Sequence, residues 1–212
     1  MTFLLGLLQL AAASAQLPDY QVGDAFVFSD GRVEQVRRIE GDTVLWSGLG
    51  KNRYWRSRNP ITPILAWKVA EAEGKRTVSA AADDLWPLAP GKSVRFRAVT
   101  EIRKGRKTRR SVAFWKCATG VAGTVTVPAG TFEAWPIQCD RYSSASMRLA
   151  ERVSWDWSTE LGHYVRRRVT RYSNGATSEI VLEAALPAEI ATIQRLKALS
   201  ERVKKGNALA KR

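Results

Sequence analysis

From Val22 to Leu186 this chain is a succession of alternating apolar and polar runs separated by turn residues, a pattern that restricts it to antiparallel β structure. In the first part, Ala25–Phe28, Val33–Ile39, Thr43–Trp46 and Tyr54–Trp55 alternate with Asp30-Gly31, Gly41-Asp42 and Gly48–Asn52. Turn signals at that spacing suit a small barrel, so residues 16–66 are expected to form an SH3-like β meander. Asn59-Pro60-Ile61-Thr62-Pro63 then breaks regular structure, and residues 67–84, which start with a short strand or helix and become small and polar toward their end, read as a linker.

Leu85-Trp86-Pro87-Leu88 looks like an apolar anchor opening a second unit, residues 85–186. Its strands are read at Ser93–Arg103, Arg110–Gly120, Gly123–Val127, Thr131–Tyr142, Met147–Trp157, His163–Tyr172 and Thr177–Leu186, with Asn174-Gly175 as a strong hairpin turn. The expectation is a larger antiparallel sheet, curved or half-closed into a barrel. Residues 187–212 read as one basic amphipathic helix, with Pro187 in its first turn. Its apolar stripe of Ile190, Ile193, Leu196, Leu199 and Val203 would pack on the sheet.

Residues 1–15 carry no charged side chain, run apolar, and end in Ala13-Ser14-Ala15. Small residues there fit a signal peptidase, so a secretory leader cut after Ala15 is expected, with the mature protein periplasmic or secreted. Cys117 and Cys139 are the only cysteines, and an even count behind a leader suggests a disulfide. Counting in twos puts both thiols on apolar, Trp-bearing strand faces that neighbouring strands could bring together. Neither follows the cleavage site, which speaks against a lipid-anchored mature end.

The formal net charge of +14 belongs wholly to the chain after the leader. Such a field attracts phosphates, carboxylates and anionic surfaces. Behind a secretion signal the expected partners are lipid head groups, lipopolysaccharide or cell-wall polymer, with peripheral membrane contact and no nucleic acid. Arg103, Lys104, Arg106, Lys107, Arg109 and Arg110 surround one hairpin tip. Counting in twos places Tyr164, Arg166, Arg168 and Tyr172 on one strand face. Those residues could hold an anionic ligand by bidentate contacts and stacking, or form a solvated face that resists edge pairing. The eight tryptophans suit core or rim positions of a barrel better than a ligand cleft.

Catalytic signals are weak. His163 is the only histidine, and a Ser-His-acid triad would need it with Asp156 or Glu160, yet no Gly-x-Ser-x-Gly elbow supplies a nucleophile. Two cysteines and one histidine, unclustered, make no zinc site. No carboxylate pair or phosphate-cradling glycine loop stands out, so no catalytic residue, metal or cofactor is expected.

From Leu85 onward the chain resembles a group of uncharacterised exported proteins of Gram-negative, mainly alphaproteobacterial, bacteria. The residues that carry this are Leu85-Trp86-Pro87-Leu88-Ala89-Pro90-Gly91-Lys92, Trp115-Lys116-Cys117, Val127-Pro128-Ala129-Gly130-Thr131-Phe132 leading to Cys139, and Gly162-His163-Tyr164-Val165-Arg166-Arg167. The resemblance implies a periplasmic β fold and no established activity. The expectation from sequence is a non-catalytic exported module that binds an anionic envelope component. The alternative is an envelope structural or assembly protein acting through a protein partner.

Overall fold

The strands do not divide into two units. The computed structural model describes residues 15–69 and 71–209. Its strands are β1 (Ala25–Phe28), β2 (Val33–Glu40), β3 (Thr43–Ser47), β4 (Arg53–Ser57), β5 (Ala66–Val69), β6 (Ala72–Val78), β7 (Ser93–Lys104), β8 (Lys107–Thr119), β9 (Gly123–Val127), β10 (Gly130–Ser143), β11 (Leu149–Ser158), β12 (His163–Arg171) and β13 (Thr177–Leu186). Each pairs antiparallel with its neighbour, β13 returns to β1, and β10 joins β8 on one edge and β11 on the other. The result is a closed twelve-stranded barrel, with β9 as one extra strand on the β10 edge that β8 leaves free.

This overturns the expected SH3-like meander beside an open sheet. The β1–β13 pairing, Ala25 to Leu186 and Phe26 to Ala185, makes β1–β4 consecutive staves of the large barrel. The expected linker holds β5, β6 and a 3₁₀ turn at Ala80–Leu85, so the wall continues without interruption into β7. A polar strand such as Ala72–Val78 suits this wall, because Glu73, Lys75 and Thr77 lie on its outer face while Gly74 and Arg76 lie against Trp67 and Val78 against the core.

The turns joining β1–β2, β3–β4, β5–β6, β7–β8, β10–β11 and β12–β13 crowd one end of the barrel, here the upper end. Burial falls from bottom to top along the inward faces. On β7, Val94, Phe96 and Ala98 are buried, Thr100 and Ile102 half-buried, and Lys104 exposed. On β8, Cys117 and Trp115 are buried while Ser111, Arg109 and Lys107 are exposed. The lower half is filled and the upper half opens to solvent.

The filling comes partly from outside the wall. Ile61, Ala82, Leu85, Trp86 and Leu88 join the main core, with the Trp86 ring 6.0 Å from that of Trp157. The apolar anchor read from the sequence is thus a plug. Asn59, itself buried, ties it down. Its Oδ1 accepts from Trp86 Nε1 (2.9 Å) and Ile61 N (3.2 Å), and its Nδ2 donates to Ala82 O (2.9 Å) and Asp83 Oδ1 (2.8 Å). All four bonds agree on one amide orientation.

Cys117 and Cys139 face each other in the β8–β10 register and are disulfide-bonded. On β5, Trp67 lies across the strand from Gly74, and a Cβ there would fall 2.1 Å from the indole. Gly74 is what lets that ring lie flat on the wall, where Arg76 stacks 5.1 Å from its centroid.

The C-terminal helix α1 (Ile193–Leu209) packs on the outside of β1. Leu196, Leu199 and Val203 meet Ala25, Val27, Val33 and Leu186, which explains why all four residues of β1 are buried: Phe26 and Phe28 face the bore, Ala25 and Val27 the helix. The helix starts later than expected. Pro187–Ala191 forms a turn, and Thr192 Oγ1 accepts from Arg195 N (3.3 Å) as the cap. The expected leader, residues 1–15, lies outside the described residues except for Ala15, which bridges Leu88 (Leu88 N donates to Ala15 O, 2.8 Å).

Asn59→Ala should destabilise the protein by about 2–3 kcal/mol in denaturant unfolding, because Trp86 Nε1 and the Ala82 carbonyl lose buried partners. Cys117→Ala with Cys139→Ala should cost about 3 kcal/mol in the same measurement, the loop-closure contribution of a link of this span.

Candidate functional site

Above the plug, the inward faces bring ionisable side chains together in layers. The deepest centres on Glu34, 1% exposed, which β2 points into the bore opposite Phe26. Arg56 Nη2 lies 3.6 Å from its Oε1, and His163 Nε2 lies 3.4 Å from its Oε2. Tyr20 Oη is 3.4 Å from His163 Nδ1, and the imidazole stacks on Phe26 with centroids 3.9 Å apart. Nδ1 is within hydrogen-bond reach of the tyrosine hydroxyl, while Nε2 and Glu34 Oε2 approach each other without a hydrogen bond and have no other partner among the described residues.

Burial alone would raise the Glu34 carboxyl, but the Arg56 guanidinium and then His163 more than reverse this and hold it below the usual carboxylate range. Burial lowers His163, and Glu34 only partly offsets it, so the ring is neutral at pH 7. Burial and then Glu34 raise Tyr54 and Tyr164, which stay protonated; neither hydroxyl has a hydrogen-bond partner among the described residues.

Higher in the bore the balance turns cationic. Arg167, on the inward face between Trp155 and Ile180, has no ion-pair partner among the described residues. Burial lowers its pKa and Arg56 adds to this, while Tyr164 and Glu34 oppose. At the mouth a single carboxylate, Glu151, stands between Arg141 Nε and Arg171 Nε, each 3.6 Å away. Arg76, across the bore on β6, is lowered first by burial and then by Arg141, with Glu151 opposing. The register places Arg76, Arg141 and Glu151 alike on inward-facing positions of their strands.

The basic hairpin forms as expected, with Gly105-Arg106 as its turn at the upper rim. Arg103 pairs with Glu73 and Lys104 with Glu71 (3.4 Å). Arg110 stands opposite Glu101 in the register, but that carboxylate goes to Lys75 at 3.0 Å. Arg106, Lys107, Arg109 and Arg110 are exposed and have no ion-pair partner among the described residues.

The second expected group is split. A register shift between Asp156 and Trp157 puts Tyr164 opposite Trp157, in the core, 2% exposed. Arg166 and Arg168 stay on the outer wall, paired with Asp156 (3.5 Å) and Glu179 (2.7 Å), and Tyr172 is exposed beyond the end of β12. Glu34, Arg56, Tyr54, Arg76, Arg141 and Arg167 were not singled out from the sequence. Glu34 was visible as an acid set in an otherwise buried run, Val33–Val36, but its partners come from β4 and β12 and no local pattern names them.

His163 generates a pH test. The unfolded chain takes up a proton at the ordinary histidine value of 6.5, whereas the buried ring resists it. The unfolded state therefore gains protons first, and stability should fall as pH drops below about 6.5, by up to about 1.4 kcal/mol per pH unit. Glu34 adds a further loss below about pH 4.3, where the unfolded carboxyl protonates before the folded one. Thermal melts should show the wild type weakening from pH 7 to pH 5.5 and His163→Gln, less stable overall, nearly flat across that window.

No protein-family model and no curated protein matches the chain. Among solved structures, the hypothetical lipoprotein YmcC of Escherichia coli K12 aligns over 81% of this chain and 91% of its own, with a TM-score of 0.53 at 11% identity. A Bacteroides fragilis protein proposed to be exported, with a YmcC-like fold, aligns over 82% of this chain and 100% of its own (TM-score 0.45, 14% identity). A proposed lipoprotein of Parabacteroides distasonis covers the same shares (TM-score 0.42, 13% identity). At these identities the likeness concerns the fold, which this chain shares with YmcC over 81% of its own length and 91% of YmcC's.

Proposed function

We propose that this chain is a non-catalytic exported envelope module that binds an anionic partner, such as lipid head groups, lipopolysaccharide or cell-wall polymer, through the open upper end of its barrel. One observation carries the reading. Arg106, Lys107, Arg109 and Arg110 at the rim lack carboxylate partners among the described residues, and just inside, Arg141 and Arg171 share one carboxylate with Arg76 close by. Four neighbouring cations left unneutralised at one end of the wall give a local positive field directed out of that end.

Location and lack of chemistry rest on further support. The leader-like residues 1–15 and the fold shared with a protein described as a lipoprotein both suit the cell envelope. His163, the only histidine, lies 1% exposed among aromatic rings, out of reach of a substrate.

The test is cosedimentation with vesicles of phosphatidylglycerol or phosphatidylcholine, and with lipopolysaccharide and peptidoglycan. Retention should require negative charge and weaken at high salt. Replacing Arg106, Lys107, Arg109 and Arg110 together by Gln should cut affinity about a hundredfold or more, since each surface cation is worth about 1 kcal/mol near an anionic bilayer. No retention on any of these surfaces at low salt would sink the proposal. Capture of one envelope protein, lost in the same variant, would transfer the role to assembly.

A further inference from the structure

On the outer wall, away from the hairpin tip, β7, β8 and β10 form a groove of about 670 Å³ whose lining includes Arg95, Arg97, Phe114, Lys116, Tyr142 and Met147. The volume lies within the range of small-molecule sites. The register places its chemistry in two rows. Arg97, Phe114 and Tyr142 are direct cross-strand neighbours in one, and Arg95, Lys116 and Asp140 in the next.

The second row is electrostatically unfinished. Arg95 and Lys116 stand directly opposite each other, a like-charge arrangement that costs stability in a sheet. Asp140 is next to Lys116 and could relieve it, but both its oxygens are taken by Arg152, at 2.7 and 2.9 Å. None of Arg95, Arg97 and Lys116 has an ion-pair partner among the described residues.

The first row is unusually apolar for an outer wall. Phe114 is 38% exposed and Met147 63%. Met147 sits in the β10–β11 turn with φ of 52°, a left-handed conformation that residues with a side chain seldom adopt. Three unpaired cations therefore border an exposed aromatic and thioether surface within one concavity.

We infer that this groove binds an acidic amphiphile, its carboxylate or phosphate head held by Arg95, Arg97 and Lys116 and its apolar body laid on Phe114, Tyr142 and Met147. The anion would end the repulsion across the Arg95–Lys116 pair, and the chain would cover the exposed apolar row. The inference rests on the anionic-partner reading and narrows it to a site for one molecule, distinct from the rim.

Isothermal titration below micelle formation tests it, with laurate, dodecyl phosphate, dodecyltrimethylammonium and inorganic phosphate as probes. Laurate or dodecyl phosphate should bind one molecule per chain, about tenfold or more tighter than inorganic phosphate, and the ammonium should not bind. Whichever of the two acids binds tighter tells carboxylate from phosphate. Arg95→Gln with Arg97→Gln, and separately Phe114→Ser, should each weaken binding about tenfold or more. These positions are exposed, so thermal unfolding should stay near that of the wild type. The four-Gln hairpin variant should bind as the wild type does, even where it has lost the vesicles. Absence of saturable binding, equal binding of the ammonium, unchanged affinity in both groove variants, or loss in the hairpin variant would overturn the inference.

Discussion

A barrel of eight strands is just wide enough for its own side chains to fill, and twelve strands enclose more than that. How this chain fills the surplus governs the rest of its structure. Large rings supply part of the volume: Trp46, Trp86, Trp115, Trp135 and Trp157 are all buried. The remainder comes from the plug, the loop around Asn59–Ile61 and the segment Ala82–Leu88, folded into the lower half. Among the described residues nothing comparable enters from above. The upper half is lined by long charged side chains whose heads can reach water, and the boundary lies where Glu34, Arg56 and His163 meet.

That boundary explains why a buried carboxylate is tolerated. Glu34 has Arg56 on one side and a neutral imidazole on the other, so the folded protein keeps it ionised despite the cost of desolvation. The same pair leaves Arg167 uncompensated, since the one deep carboxylate is already committed. Polarity also runs opposite to that of a membrane-spanning barrel. The outer wall carries Arg152 with Asp140, Arg166 with Asp156 and Arg168 with Glu179, ions that a lipid-facing band would not bear.

Local structure was legible in the sequence and closure was not. The β7–β8 hairpin, the Asn174-Gly175 turn, the facing cysteines and the C-terminal helix all follow from periodicity and turn chemistry that act within a few residues. The β1–β13 pairing joins positions about as far apart as the barrel allows, and nothing in Ala25–Phe28 specifies its partner. Its unbroken apolar run did record that both faces are covered. For β5 the sequence offers only a possible short strand or helix at the start of residues 67–84, and for β6 no signal, because inward positions near an open bore can be polar, which removes the alternation that marks a half-buried strand. Counting in twos then failed at one place, the register shift beside Trp157. One extra residue there moves Tyr164 to the core and leaves Arg166 and Arg168 outside.

Net charge therefore says less than its distribution. Most carboxylates along the wall are committed: Glu73, Glu101, Asp140, Glu151, Asp156 and Glu179 each hold a cation. With those pairs subtracted, the excess implied by +14 does not spread evenly over the surface. Among the described residues, unpaired cations stand along the C-terminal helix, at Arg195, Lys197, Arg202, Lys204 and Lys205, and on the wall they gather side by side at the upper rim and in the groove of β7, β8 and β10. Both places share a cause in the register, which sets cation beside cation or spends the nearest carboxylate elsewhere. A solvated, repulsion-minimising surface would have no reason to spend Asp140 on Arg152 and leave Arg95 facing Lys116. Charge left in contact with its own sign, beside exposed aromatic area, is what a wall looks like when part of its neutralisation is meant to arrive from outside.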